Sequence, residues 1–142
     1  MIKKQIVVDA SVMVKWLRSE HEDLLMQAER LLRDFQEGKV ELYAPELAKY
    51  EVGNVLVKRK LTVDEARASL VAFYNIPTSF ISETKELAQM TYKLASDLEI
   101  SFYDGAYLAL AQELGGMLVT ENVKHLGRAT KVKVISLAEY GK

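Results

Sequence analysis

The sequence predicts a three-layer α/β/α sandwich with a central parallel sheet, folded as one domain over residues 1–142. Two observations carry that expectation. Short β-branched, apolar runs alternate along the chain with segments of helical periodicity, and strands that alternate with helices imply parallel pairing, with helices on both faces. One helical segment, SFYDGAYLALAQELGG, is apolar almost all round, which suits a helix buried between other layers.

Gln5-Ile6-Val7-Val8 reads as a short buried strand that Asp9 stops with a carboxylate, and Ala10-Ser11-Val12 leads straight into a helical pattern. Residues 23–36 place Leu24, Leu25, Ala28, Leu31, Leu32 and Phe35 at helical spacing, and Gly38 ends that helix. Val40 to Ala44 alternates as a strand. Pro45 suits the first turn of the next helix, which runs through Leu47, Val52 and Leu56 to the basic run Lys58-Arg59-Lys60. Those cations suit the negative end of the helix dipole. Thr62-Val63-Asp64-Glu65 is a capping box that opens a helix lasting to about Tyr74. Phe80-Ile81 is a brief strand, and residues 83–98 form a further helix. Gly115-Gly116 closes the apolar helix, Met117-Leu118-Val119 is the fourth strand, and residues 132–135 are the fifth.

Composition narrows the chemistry. The net charge of −1 and pI near 6.2 argue against a protein that coats nucleic acid non-specifically, while leaving a local basic groove open. The absence of cysteine excludes disulfides, thiolate zinc sites and cysteine nucleophiles. His21 and His125 are too few for a histidine-built metal centre, and His125 reads as a surface residue without a catalytic role. No apolar run approaches the roughly 20 residues that span a bilayer, and the first residues lack the core of a signal peptide. The expected location is cytoplasmic.

Four polar positions stand where apolar residues belong. Asp9 ends the first strand, and it suits either a helix N-cap or a ligand at the carboxyl end of a parallel strand. Glu51 lies one turn after Leu47 and one before Val55, within a stripe that should be buried. It is either a boundary glutamate whose head reaches water or a member of a site. Asp104 opens the apolar helix, as the third helical residue of a capping box headed by Ser101 or as an acid aimed at the same sheet edge. Thr120-Glu121-Asn122 ends the fourth strand as an ordinary turn or as a second polar strand end. Parallel strands end on one edge, and a crossover helix running back begins on that edge. The topology therefore permits one cluster of Asp9, Glu51 and Asp104, with Asn122 beside it. Carboxylates sharing a pocket stay ionised when a cation offsets their repulsion, and oxygen ligands without His or Cys select Mg²⁺ or Mn²⁺. Such sites commonly serve phosphoryl chemistry.

With these residues in view, the chain resembles the PIN-domain family, most closely its VapC toxin ribonucleases. The resemblance rests on Val7-Val8-Asp9-Ala10-Ser11-Val12, Tyr50-Glu51-Val52-Gly53-Asn54-Val55-Leu56, Tyr103-Asp104-Gly105-Ala106-Tyr107-Leu108-Ala109-Leu110-Ala111, and Leu118-Val119-Thr120 continuing into Glu121-Asn122. It implies a Mg²⁺- or Mn²⁺-dependent endoribonuclease whose acidic site matches Asp9, Glu51 and Asp104. Ser11 or Thr120 would support a ligand by hydrogen bonding. It also implies an RNA substrate, a homodimer, and a small antitoxin whose tail covers the cleft. Many relatives carry Asp two residues after the threonine; here that position is Asn122, with Glu121 one place earlier.

Other features admit weaker readings. Lys15 and Arg18 could meet RNA phosphate or simply face solvent. Trp16 and Tyr107 read as core or dimer-interface residues more than stacking platforms. Two alternatives to the nuclease stand beside it. One is a PIN-like module that binds RNA or a partner through an incomplete, inactive metal site. The other is a receiver or phosphatase domain with Asp9 as phosphoryl acceptor, which Ser11 disfavours, because a haloacid-type phosphatase would carry Asp there.

Overall fold

The computed structural model describes residues 2–17, 24–129 and 131–142. Five strands, β1 (Lys4–Val8), β2 (Val40–Pro45), β3 (Ser79–Ile81), β4 (Met117–Val119) and β5 (Lys133–Ile135), form one sheet in the order β3-β2-β1-β4-β5. Every pair in it is parallel. Ile6, Val7 and Val8 of the central strand β1 are fully buried.

Connections leave this strand in opposite directions. β1 passes through α1 (Ala10–Trp16) and α2 (Leu25–Gln36) to β2, and β2 passes through α3 (Leu47–Lys58) and α4 (Val63–Tyr74) to β3. The chain then returns through α5 (Lys85–Leu98) and α6 (Phe102–Leu114) to β4, and continues through α7 (Val123–Leu126) to β5. Right-handed crossovers put α1 to α4 on one face and α5 to α7 on the other, as a three-layer sandwich requires. The direction reverses between β1 and β4. A crevice at the carboxyl ends of such a pair is where open parallel sheets hold their ligands.

α6 lies against β1, β2 and β4 with α5 across its back. Gly105 to Ala111 are consecutively buried, so the all-round apolar character of this segment reflects contacts on both sides. Gly105 permits the close approach of α5: a Cβ there would stand 3.0 Å from the carbonyl oxygen of Thr91. Gly115 ends the helix in the left-handed region at φ +64°, a conformation glycine adopts without a steric cost.

Several boundaries differ from the sequence expectation. Pro45 belongs to β2, not to the first turn of α3. It pairs only outward with Ile81, past the last β1 partner at Tyr43, so its missing N–H leaves no rung broken. α5 starts at Lys85 because the Thr84 hydroxyl accepts from Leu87 N–H at 3.1 Å and fixes the cap there. The Thr62–Glu65 capping box forms reciprocally. The expected start of the second helix at Asp23 lies outside the described residues. Two short elements have no counterpart in the sequence reading: α7, and a 3-10 turn at Leu137–Glu139. Among the described residues no helix is long and apolar enough to cross a membrane.

Candidate active site

Asp9 emerges from β1 into the N-cap position of α1, but its side chain caps nothing. Its Oδ2 instead accepts from Thr120 Oγ1 at 2.6 Å and from Ser11 Oγ at 3.1 Å. Thr120 is fully buried at the end of β4, and Asp9 is 8% exposed. Both hydroxyls are themselves held: Asn122 N–H donates to Thr120 Oγ1 at 2.9 Å, and Glu121 N–H donates to Ser11 Oγ at 3.1 Å. With Asp9 N–H bonded to Val119 carbonyl, these contacts lock the two strand ends flanking the crevice. A nearly buried carboxylate needs such donors, since leaving it unsatisfied costs several kcal/mol at the order-of-magnitude level.

Glu51 comes from the opposite face, one turn into α3. Its partner is Tyr107 of α6, whose hydroxyl donates to Glu51 Oε1 at 2.5 Å and accepts from Ala10 N–H at 3.4 Å. One phenol thus touches the start of α1 and the acid of α3 while standing on α6. Asp104 sits one turn before Tyr107 on the same helix, where residues three apart share a face. Its N–H donates to Ser101 Oγ at 3.0 Å, so Ser101 caps α6, as one of the two sequence readings of Asp104 has it. The capping role and the nearness of the Asp104 carboxylate to Asp9 coexist.

Burial, and after it the neighbouring acids, shows in the ionisation of Glu51, Asp104 and Tyr107. Burial pushes Glu51 above the ordinary carboxylate range; the Tyr107 bond opposes this, and the charges of Asp9 and Asp104 add to it. Burial also raises Asp104, followed by the charge of Asp9, against opposing effects of a Ser101 hydrogen bond and of His125. Burial, then the charges of Asp9 and Glu51, hold the Tyr107 phenol far above its usual value, so it remains a hydrogen-bond donor. The fold therefore brings Asp9, Glu51 and Asp104 within electrostatic reach of one another, each from a different element.

The remaining sequence candidates divide. Asn122 heads α7 without a side-chain cap bond, beside Thr120. Glu121 turns its carboxylate away, accepting from Leu137 N–H at 3.2 Å and so bracing the 3-10 turn. Lys15 is buried at 7% exposure instead of projecting into solvent, and Arg18 lies outside the described residues. Trp16 is partly buried against the core and donates its indole N–H to Ala28 carbonyl at 2.7 Å. His125 is exposed, as expected, and lies near enough to Asp104 to oppose in small part the rise that burial gives it. Two contributions escaped the sequence reading: the hydroxyl of Tyr107 and the nearness of His125 to Asp104. Neither carries a local signal: Tyr107 continues the apolar stripe of α6, and His125 stands on a separate element.

The donor chemistry fits a hard divalent cation, being carboxylate oxygen supported by hydroxyls, with destabilised charge for the ion to offset. A coordination sphere is not preformed: among the described residues, no three Asp, Glu or His side chains stand close enough to hold one ion together. The fit is thus one of donor type and charge.

A PIN-domain family model matches residues 6–131. Ribonuclease VapC3 of Pyrobaculum aerophilum is 33% identical over 121 residues, which cover 82% of this chain and 88% of that protein. Among solved structures, VapBC2 from Rickettsia felis bound to a DNA fragment from their promoter aligns with a TM-score of 0.72. That alignment covers 93% of this chain and 98% of the other at 17% identity. A toxin–antitoxin complex from Klebsiella pneumoniae aligns with a TM-score of 0.65 at 17% identity, over 93% of this chain and 97% of its counterpart. At such identities the two structures speak for the fold.

Proposed function

The chain belongs to the PIN-domain family, with VapC-type relatives, and from that premise we propose that it is a Mg²⁺- or Mn²⁺-dependent endoribonuclease, the toxin of a toxin–antitoxin pair. The observation that carries this reading is the hydrogen-bonded arrangement at the carboxyl edge between β1 and β4, where Thr120 and Ser11 hold Asp9, Tyr107 holds Glu51, and Asp104 stands one turn before Tyr107. Asp9, Glu51 and Asp104 are the metal-binding acids in this reading, with Ser11, Thr120 and Asn122 in support. The bound ion would supply positive charge and the activation of a water for attack on a phosphodiester. The chain's own residues divide the remaining work. Thr120 and Ser11 fix Oδ2 of Asp9, and Tyr107 fixes Oε1 of Glu51. Asn122 offers a carbonyl oxygen beside them without adding charge.

The antitoxin is expected to be a small protein whose tail crosses the same edge; the Klebsiella pneumoniae relative in fold is a toxin–antitoxin complex. The site of action is the cytoplasm, and the working form is a homodimer. A second reading, an RNA- or partner-binding module that does not cut, draws support from Asn122 and from the lack of a preformed coordination sphere among the described residues.

Asp104→Asn separates these. On the nuclease reading it abolishes cleavage of single-stranded RNA, weakens Mn²⁺ binding in calorimetry and leaves the metal-free fold as stable or more so. If Asp104 only completes a helix cap, the variant loses up to about 1 kcal/mol of stability and cuts at the wild-type rate. Should the wild-type chain bind RNA without cutting it at any Mg²⁺ or Mn²⁺ concentration, the binding-module reading prevails.

A further inference from the structure

The residues immediately before Glu51 and Asp104 are both tyrosines, and both rings stand in solvent. Tyr50 of α3 is 82% exposed and Tyr103 of α6 is 64% exposed. They line one open pocket of about 400 Å³, together with Leu47, Glu51 and Asn54. The pocket therefore adjoins the candidate metal-binding acids directly, sharing Glu51 with them. Single exposed aromatics need no explanation, but two on different helices bordering one pocket beside an acid are a different matter.

The chemistry of that pocket selects its occupant. It holds two phenol rings, an amide and a carboxylate, with no lysine or arginine in its lining. Lys49, next in sequence to Tyr50, is directed elsewhere: its Nζ pairs with Glu46 at 2.9 Å and lies 4.8 Å from the centroid of the Phe80 ring. A phosphate would meet the charge of Glu51 with nothing to offset it. A nucleobase is flat, uncharged and rich in donors and acceptors. Unpaired bases stack on tyrosine faces, and an asparagine amide, which both donates and accepts, can bond to a base edge. Asn54 is exposed and available for that contact.

We propose that Tyr50, Tyr103 and Asn54 form a nucleobase subsite that holds one unpaired base of the RNA beside Asp9, Glu51 and Asp104. The proposal rests on the ribonuclease reading and adds to it the residues that hold one base of the substrate. A duplex, whose bases are stacked and paired, would have to unpair and unstack one to present it to this pocket.

The test measures binding apart from turnover. Every chain carries Asp9→Asn to stop cleavage, and the probe is a fluorescein-labelled single-stranded RNA dodecamer of mixed sequence, with a second version carrying 2-aminopurine. Tyr50→Ala and Tyr103→Ala should each weaken binding roughly five- to a hundredfold. They should also relieve the quenching of 2-aminopurine that stacking produces. Tyr50→Phe and Tyr103→Phe keep the aromatic face and should keep both signals, which a role for the hydroxyls would not allow. Unchanged affinity and quenching in both alanine variants overturns the subsite while leaving the nuclease reading intact. If the alanine variants bind RNA normally but sediment as monomers where the parent is a dimer, a second copy covers the tyrosines and the proposal fails. If the wild-type chain, with Asp9 intact, neither binds nor cuts this RNA with Mg²⁺ or Mn²⁺ present, the ribonuclease reading itself falls, and the subsite with it.

Discussion

Tyr107→Phe removes one oxygen atom and tests how the two faces of the sheet are joined at the site. The phenol donates to Glu51 Oε1 at 2.5 Å, a short contact for a charged acceptor, and its bond from Ala10 N–H at 3.4 Å is long. A hydrogen bond to a charged group contributes about 1.5–3 kcal/mol net, and a neutral one about 1. Glu51 keeps part of its surface in water, which screens the bond, so the lower end, about 1.5 kcal/mol, is the expected loss when Glu51 is ionised. Phenylalanine fills the same space, so no cavity adds to it.

The sign of the pH dependence follows from linkage. The bond to Tyr107 favours ionised Glu51, so its removal lifts an already raised carboxyl further. The stability deficit of the variant should therefore be small below the ordinary carboxylate range and grow as pH rises through the raised value of Glu51. Urea unfolding of metal-free protein at several pH values measures it. A deficit that is absent, or equal at acid and neutral pH, would refute the claim that the phenol works through the charged form of Glu51.

Three further outcomes rest on the same geometry. Because burial and Asp9 raise Asp104, its ionisation costs the metal-free fold stability as pH rises through that raised value, so Asp104→Asn should gain relative to wild type over the same window. Calorimetric melting temperatures of both proteins across pH check this, and saturating Mn²⁺ should raise the wild type alone. Asn122→Asp should lower the metal concentration for half-maximal cleavage, whereas Glu121→Gln, which keeps an acceptor for Leu137 N–H, should change little; metal titrations of RNA cleavage decide. α4 buries only Phe73 and leaves Val63, Val71 and Tyr74 exposed, so micromolar sedimentation should give a dimer, and a 16.1 kDa species would refute it.

Five strands and the main helices were legible because each carries its own local signal. The apolar runs of β1 and β4 each end abruptly in a polar residue, and the helices announce themselves through capping residues such as Thr62, Ser101 and Gly115. Where that legibility failed, a tertiary contact decided. Pro45 looks like a helix opener until Ile81 draws it into the sheet. α7 has four residues, too few for any periodicity to show. Lys15 is a charged residue on what reads as an exposed face, and its burial is a packing result that no spacing rule contains.

The candidate site shows the same division between position and connection. Asp9, Glu51 and Asp104 could be nominated from sequence because each interrupts an apolar pattern, and an interruption is a one-dimensional signal. Tyr107 interrupts nothing. It continues the apolar stripe of α6, and its ring is as buried as that stripe requires. Its function as a link resides in one terminal oxygen, which finds Glu51 across 56 residues of chain and Ala10 across 97. An amphipathic residue obeying the core pattern with its carbon and meeting an acid with its oxygen is silent in sequence. The exposed Tyr50 and Tyr103 err in the opposite sense, reading as ordinary helix residues while lining a pocket that only the meeting of α3 and α6 creates. A charge in the wrong place can be read from the order of residues; a partnership between residues in permitted places requires the fold.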